Sequence, residues 1–281
     1  MSKTQELIQK LNDGVQELFA SDRYAEYLRF MASFHAYSAS NCYLIFSQMP
    51  TASMVASYTD WNSKHHRQVK KGSKAIKILA PHLYKEIDEK GEEHERLGFH
   101  SASCFDVSQT YSISGEALPE ISRSLDADVA GFSDLLCLLL CDAVSPCPVD
   151  IVDIKSDNGA RGFFSLSARR IVVQKGMSEA DTIKTLLHEQ AHAWVFAQMP
   201  EEKYNRRESE VIAESTAYVV SQWLGIDTSD YSFGYVAGWS SDRTVPELRA
   251  TIDAIRKTSE LMISKIEEAW NELYQGENDV A

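Results

Sequence analysis

The most constraining stretch of this chain is Thr185-Leu186-Leu187-His188-Glu189-Gln190-Ala191-His192-Ala193-Trp194. Ile183, Leu186, Leu187, Ala191, Trp194 and Val195 recur at helical spacing with no Gly or Pro among them, which predicts an amphipathic helix. Ser178 is expected to cap it, with Asp181 in its first turn. His188 and His192 stand four residues apart, so both imidazoles leave one face, one above the other. Two neutral imidazoles so placed are a ligand pair for Zn²⁺. The Glu between them can reach a water at the same spot and serve as general base, the H-E-x-x-H arrangement.

Such a site needs a third protein ligand from another element and one open position. A second helical pattern runs from Glu208 through Tyr218 and stops at Gly225. Glu210 and Glu214 share one face of it, whereas Glu208 points roughly the other way. Ala213 and Ala217 are small enough to let this helix approach the first. Glu210 is assigned as third ligand and Glu214 as the carboxylate that holds a ligand imidazole in its tautomer. The exchange of these two roles stays open. Two solvated amphipathic helices would explain each residue alone, but they explain the coincidence of all of them poorly. The expected chemistry is metal-assisted hydrolysis of a peptide bond in an unidentified protein, with Glu189 moving the proton. Tyr218, Tyr231 and Tyr235 are candidate donors to the developing oxyanion, and spacing does not choose among them.

A chain of 281 residues, 44% apolar and 25% charged, has the composition of a soluble globular protein with room for two modest domains. Met1-Ser2-Lys3-Thr4-Gln5-Glu6 opens a charged helix and lacks the shape of a signal peptide. The most apolar run, from Leu135 to Cys141, is far too short to span a bilayer. The odd number of cysteines, with no C-x-x-C, fits reduced thiols. A cytoplasmic protein with no membrane partner is therefore expected. The net charge of −13 argues against a uniformly nucleic-acid-binding surface. Yet Lys64, Arg67, Lys70, Lys71, Lys74 and Lys77 fall in one stretch with His65, His66 and no acid. From charge alone, a solvated strand and turn is a sufficient reading of that stretch.

Periodicity and breakers predict helices over 4–20, 23–37, 40–48 and 54–63, the last containing Trp61. A strand over 75–80, an acidic turn over 88–92 and a returning strand over 97–107 follow. Residues 116–130 read as a polar, acidic linker. Beyond it come a helix over 132–143, a strand over 149–154, a hairpin over 162–173, an aromatic loop through Tyr231, Phe233, Tyr235 and Trp239, and a last helix over 246–274. The expected class is α+β in two domains, 1–115 and 131–281, the second a small sheet against the two helices with metal-ligand spacing.

Tyr37-Ser38-Ala39-Ser40-Asn41, Gln48-Met49-Pro50, Val55-Ala56-Ser57-Tyr58-Thr59-Asp60-Trp61, Val69-Lys70-Lys71-Gly72-Ser73-Lys74-Ala75-Ile76 and Phe105-Asp106-Val107-Ser108-Gln109-Thr110 occur in this order. The succession resembles the N-terminal single-stranded-DNA-binding domain of the ArdC/LtrC-like antirestriction proteins of mobile elements. In that family it precedes a zincin domain of the ImmA/IrrE metallopeptidase type. The resemblance implies binding of single-stranded DNA and protection of an incoming element from restriction. If so, Lys64, Arg67, Lys70, Lys71 and Lys74 are candidates for phosphate contacts, Tyr37, Tyr58 and Trp61 for base stacking, and Asn41 for a base or phosphate contact or a helix cap. This chain departs from the pattern at Lys64-His65-His66-Arg67, where the family places a Gly-Arg pair. Two readings follow: a working zinc metallopeptidase with a DNA-binding domain, or a non-proteolytic DNA-binding protective protein whose metal is structural.

Overall fold

The structure, a computed structural model, describes residues 2–87, 92–113, 115, 131–154, 159–198 and 205–274. Helix α1 (Lys3–Phe19) begins with a reciprocal cap in which Ser2 and Gln5 each bond the other's backbone N–H. Its Leu7, Leu11, Val15 and Leu18 face inward. Helices α2 (Arg23–Ser33) and α3 (Ala39–Gln48) follow. The second is shorter than its pattern suggests. Its apolar periodicity runs on into residues that turn instead, because the chain must reverse to reach the Ser38 cap of α3.

The helix expected over 54–63 divides in two. Val55–Ser57 is a strand, β1, paired antiparallel with residues 104–106, and only Tyr58–Ser63 is helical (α4). Ser57 makes the switch, since its hydroxyl accepts the N–H of Asp60 at 3.0 Å. Strand β2 (Arg67–Val69) pairs with β5 (Thr110–Ser112). His66, in the turn before β2, adopts a φ of +49°, a left-handed conformation that side chains rarely take. Strands β3 (Ile76–Ile87) and β4 (Glu93–Asp106) form a long antiparallel hairpin, and the sheet order is β1-β4-β3. Most of the expected acidic turn and the whole expected linker lie outside the described residues.

Asp106 ties the end of β4 to the loop before β1. Its carboxylate accepts the N–H groups of Ser53 at 2.8 Å, Met54 at 3.2 Å and Ser108 at 2.9 Å. Burial alone would raise its pKa, but these donors outweigh burial and hold the carboxyl below its ordinary value. Asp106→Asn should therefore cost about 1–3 kcal/mol in urea unfolding, since an amide nitrogen faces the same donors. A lowered folded pKa means that the contribution is complete above about pH 4 and fades as pH falls through the lowered value. The variant should lack that acid limb; wild type and variant with parallel pH–stability curves would refute the assignment.

The later part of the chain holds α5 (Phe132–Leu140), then β6 (Val149–Val152), β7 (Gly162–Ser165) and β8 (Arg170–Gln174) in the order β6-β8-β7. β6 lies parallel to β8, and β7 antiparallel to it. Ile171 and Val173 of β8 are fully buried, in one core with Ile183 and Leu187 of α6 (Glu179–Gln198). Helix α7 (Arg206–Trp223) comes next. The expected aromatic loop contains a short helix, α8 (Gly234–Ser240), and α9 (Val245–Tyr274) closes the described chain. No helix among the described residues is long and apolar enough to cross a membrane.

One apolar core contains residues from both sides of the expected linker, among them Leu11, Tyr27 and Phe46 with Leu186, Ala217 and Ile263. Polar ties run the same way: Tyr24 Oη lies 2.8 Å from Ser215 Oγ, and Arg256 Nη1 donates to the His35 carbonyl at 3.2 Å. The architecture is mixed α+β, with helices and, among the described residues, three sheets.

Candidate metal centre

Helix α6 starts where its capping residues predict. The Asp181 N–H donates to Ser178 Oγ at 3.1 Å. Burying Ile183, Leu186 and Leu187 turns the next face, with His188 and His192, toward α7. Their ring centroids lie 4.8 Å apart and their Nε2 atoms 3.1 Å apart. Helix α7 starts at Asn205, whose side chain accepts the N–H groups of Arg207 and Glu208. Ala213 and Ala217 are fully buried, so the two helices can lie close together. Glu210 then sits 3.4 Å from each histidine Nε2, one carboxylate oxygen per ring.

The remaining ring nitrogens are held from α7 as well. Glu214 lies 3.0 Å from His188 Nδ1, and Ser209 Oγ lies 2.9 Å from His192 Nδ1. Both rings therefore present Nε2 to the same point, and one donor atom each from His188, His192 and Glu210 fall within 4.8 Å of one another. Ser209 is absent from the residues that spacing singles out, although a hydroxyl beside a candidate ligand is visible in the sequence. Its angular position follows from the helix, but its partner does not. Burial works to lower the His188 pKa, yet Glu210 and Glu214 outweigh it and push the pKa up to about 10. The two imidazoles hold Glu210 far below the ordinary carboxylate range.

Glu189 is 8% exposed, and its pKa is raised chiefly by burial. The Phe164 backbone of β7 acts against burial, favouring the charged carboxylate. β7 comes this close because residue 162 is Gly. A Cβ there would meet Thr185 Cγ2 at 2.6 Å and Glu189 Cγ at 3.3 Å. Neither Gly162 nor Phe164 carries a local sequence signal, since the contact joins strand to helix across the chain.

Two adjoining clefts flank the cluster and share Gly162, His188, Glu189 and Glu210. One, of about 390 Å³, is lined by Arg161, Lys184, Asp230 and Tyr231; the other, of about 330 Å³, by Phe163, Leu166 and Arg206. Larger clefts of about 660 and 610 Å³ lie between α1, α3 and α9 and beside α2, away from these donors. Of the three candidate tyrosines, Tyr231 lines the cleft. Tyr218 is 3% exposed, packs edge-on against Tyr231 and Phe233, and takes a long bond from Arg29. Tyr235 is half-exposed, and burial followed by the nearby Glu214 charge raises its pKa.

The basic stretch lies on α4, β2 and the turn into β3. Lys64 pairs with Asp60 at 2.7 Å, Arg67 donates to Thr110 Oγ1 at 2.7 Å, and Lys70 donates to the Ser108 carbonyl at 2.8 Å. Lys71 and Lys74 are exposed. Two candidates need correction. Trp61 has no exposed surface and donates to the Phe105 carbonyl at 2.7 Å, so it is core and offers no stacking face. Asn41 spends its amide on the Leu79 backbone, accepting N–H and donating to C=O at 2.9 Å each, which joins α3 to β3. Tyr37 is likewise bonded, to the Val55 carbonyl at 2.7 Å, whereas Tyr58 remains 52% exposed.

Fold and site thus define a mixed α+β protein that sets two imidazoles and a carboxylate from neighbouring helices around one point. Residues 2–107 match the family model described as the N-terminal domain of anti-restriction factor ArdC, and the chain is to that extent ArdC-like. It is 26% identical over 310 residues to the uncharacterized protein pXO2-81 of Bacillus anthracis, an alignment covering 96% of this chain and 52% of that protein. The chain therefore spans about half the length of the curated relative it matches. Two crystal structures of the antirestriction protein ArdC from the R388 plasmid are similar. The metal-free one has 17% identity and a TM-score of 0.49, covering 91% of this chain and 99% of that one. The Mn(II)-bound one has 15% identity and a TM-score of 0.47, covering 86% and 97%.

Proposed function

We propose that the chain is an antirestriction-type protein of a mobile element that joins single-stranded-DNA binding to zinc-dependent hydrolysis of peptide bonds in the cytoplasm. The observation behind the hydrolase reading is the convergence of His188, His192 and Glu210 within 4.8 Å, beside a buried Glu189 in an open cleft. A set of two imidazole nitrogens and one carboxylate fits Zn²⁺ and leaves a coordination position free. His188, His192 and Glu210 would hold the Zn²⁺, which would supply Lewis acidity and lower the pKa of a water. Glu189, buried beside these ligands, would be the group that takes a proton from the attacking water and delivers it to the leaving nitrogen. Glu214 and Ser209 fix the rings of His188 and His192, and Tyr231, which lines the cleft, is the candidate donor to a developing oxyanion in this reading. A zincin-like arrangement of small sheet and paired helices is consistent with this. Metal analysis of purified protein, with casein cleavage measured with and without chelator, tests the reading. Stoichiometric metal with chelator-sensitive cleavage is expected; metal-free protein, or cleavage indifferent to chelator, would remove it.

The alternative is a DNA-binding protective protein in which the metal only holds the helices together. The family match over residues 2–107 is compatible with it as with the first reading. DNA binding is common to both readings and has its own test. Reversing the charge of Lys70, Lys71 and Lys74 should weaken labelled oligo-dT binding in fluorescence polarisation by at least about tenfold at low salt and flatten its salt dependence. Equal binding by both proteins would move the DNA site elsewhere.

A further inference from the structure

The β3–β4 hairpin leaves the body of the protein beyond Leu79. Residues 81–87 and 93–97, with Phe99 and His100, are all exposed. Side-chain alternation places Pro81, Leu83, Lys85 and Ile87 on one face, opposite Phe99, Leu97, Glu95 and Glu93 of β4. Leu83 is 68% exposed, Ile87 66%, Leu97 61% and Phe99 50%. Leu79 shares this face and lies in the main core, so an apolar stripe runs outward from the core onto a bare ribbon.

The edge of the ribbon is guarded, and its face is not. Asn41 satisfies the backbone of Leu79, and Gln48 that of Lys77, from outside the hairpin. Odd-numbered residues of β3 therefore turn their backbone groups away from β4, toward the free edge. Pro81 is next in that series and has no N–H to offer, which opposes addition of another strand there. The ribbon's charges are paired along it, Lys85 with Glu93 at 2.7 Å and Arg96 with Glu86 at 2.9 Å. Among the described residues, nothing covers the apolar face. A two-stranded ribbon without a covered face is marginal in water, and apolar patches of this kind mark contact surfaces.

We infer that this face is a contact between two copies of the chain, packed face to face about a two-fold axis. The same residues then meet themselves, as an isologous interface requires. The exposed apolar side chains amount to on the order of 500 Å² per copy, so two ribbons bury roughly 1,000 Å², the lower bound for a specific interface. Nucleic acid suits the face poorly, because its charged members are one lysine and two glutamates. The net charge of −13 repels copy from copy, so salt should strengthen this association, whereas it weakens contacts with nucleic acid or with a basic partner.

Sedimentation equilibrium of the full chain over a range of concentration and salt tests this. A monomer–dimer equilibrium that shifts toward dimer with added salt is expected. Leu83→Asp combined with Leu97→Asp should weaken it by at least about 100-fold, since four carboxylates then face one another. Phe99→Lys should weaken it independently, and circular dichroism checks that both variants fold. A chain monomeric under every condition, or a dimer that both folded variants leave intact, overturns the inference. So does loss of oligo-dT binding by these variants in a chain that stays monomeric, which would make the ribbon a nucleic-acid face.

Discussion

Glu189→Gln is expected to leave metal content unchanged and to lower peptide hydrolysis by about 10²–10⁴-fold, the usual effect of removing a general base. The substitution keeps the size and shape of the side chain that packs beside Gly162, so β7 and α6 stay where they are. It removes only the ability to take a proton. Burial already raises the Glu189 pKa, which brings it closer to that of the proton it must accept and release near neutral pH. Elemental analysis and the initial rate of cleavage are the two measurements. Retained metal with lost turnover supports the role. A variant as active as wild type removes Glu189 from the mechanism, and joint loss of metal and activity would mean that the amide disturbs the site itself.

Helical spacing is what makes the centre of the site legible. Once α6 is a helix, residues four apart must share a face, and the same holds for Glu210 and Glu214 on α7. The small Ala213 and Ala217 then indicate which side of α7 can come close. Spacing cannot show which oxygen meets which nitrogen, so it misses Ser209 and leaves an exchange of roles between Glu210 and Glu214 open. Contacts between distant segments are invisible to it for the same reason. Gly162 reads as the start of a hairpin, and only the approach of β7 to Thr185 and Glu189 gives it a function. Trp61 and Asn41 carry side chains suited to nucleic acid, but their fates are decided by the Phe105 carbonyl and the Leu79 backbone. Local pattern likewise places residues 54–63 in one helix, whereas pairing with β4 takes Val55–Ser57 into a sheet.

Glu210→Ala should weaken metal binding by at least about tenfold more than Glu214→Ala, for which a loss of about 10–100-fold is expected. Glu210 reaches both Nε2 atoms, while Glu214 touches only His188 Nδ1, so the first is proposed to complete a ligand set and the second to orient one ring. Protons provide a second measure. The two carboxylates raise the His188 pKa to about 10, so without a cation its ring is protonated at neutral pH. Metal must displace that proton, and affinity should rise with pH until the raised pKa is passed. The stability that the carboxylates lend the cation-free protein has the corresponding sign. It is fully present below the unfolded imidazole value of about 6.5 and is lost as pH rises through the folded one. Each Ala variant takes away one of the groups that hold the proton, so each should release less proton on binding metal and show a flatter pH dependence. Calorimetric titration with Zn²⁺ in buffers of different ionisation enthalpy reads affinity and proton release together. If Glu214→Ala proves the more damaging to affinity, the two glutamates exchange roles. If neither variant alters affinity or proton release, the point where the two imidazoles meet is not a metal site.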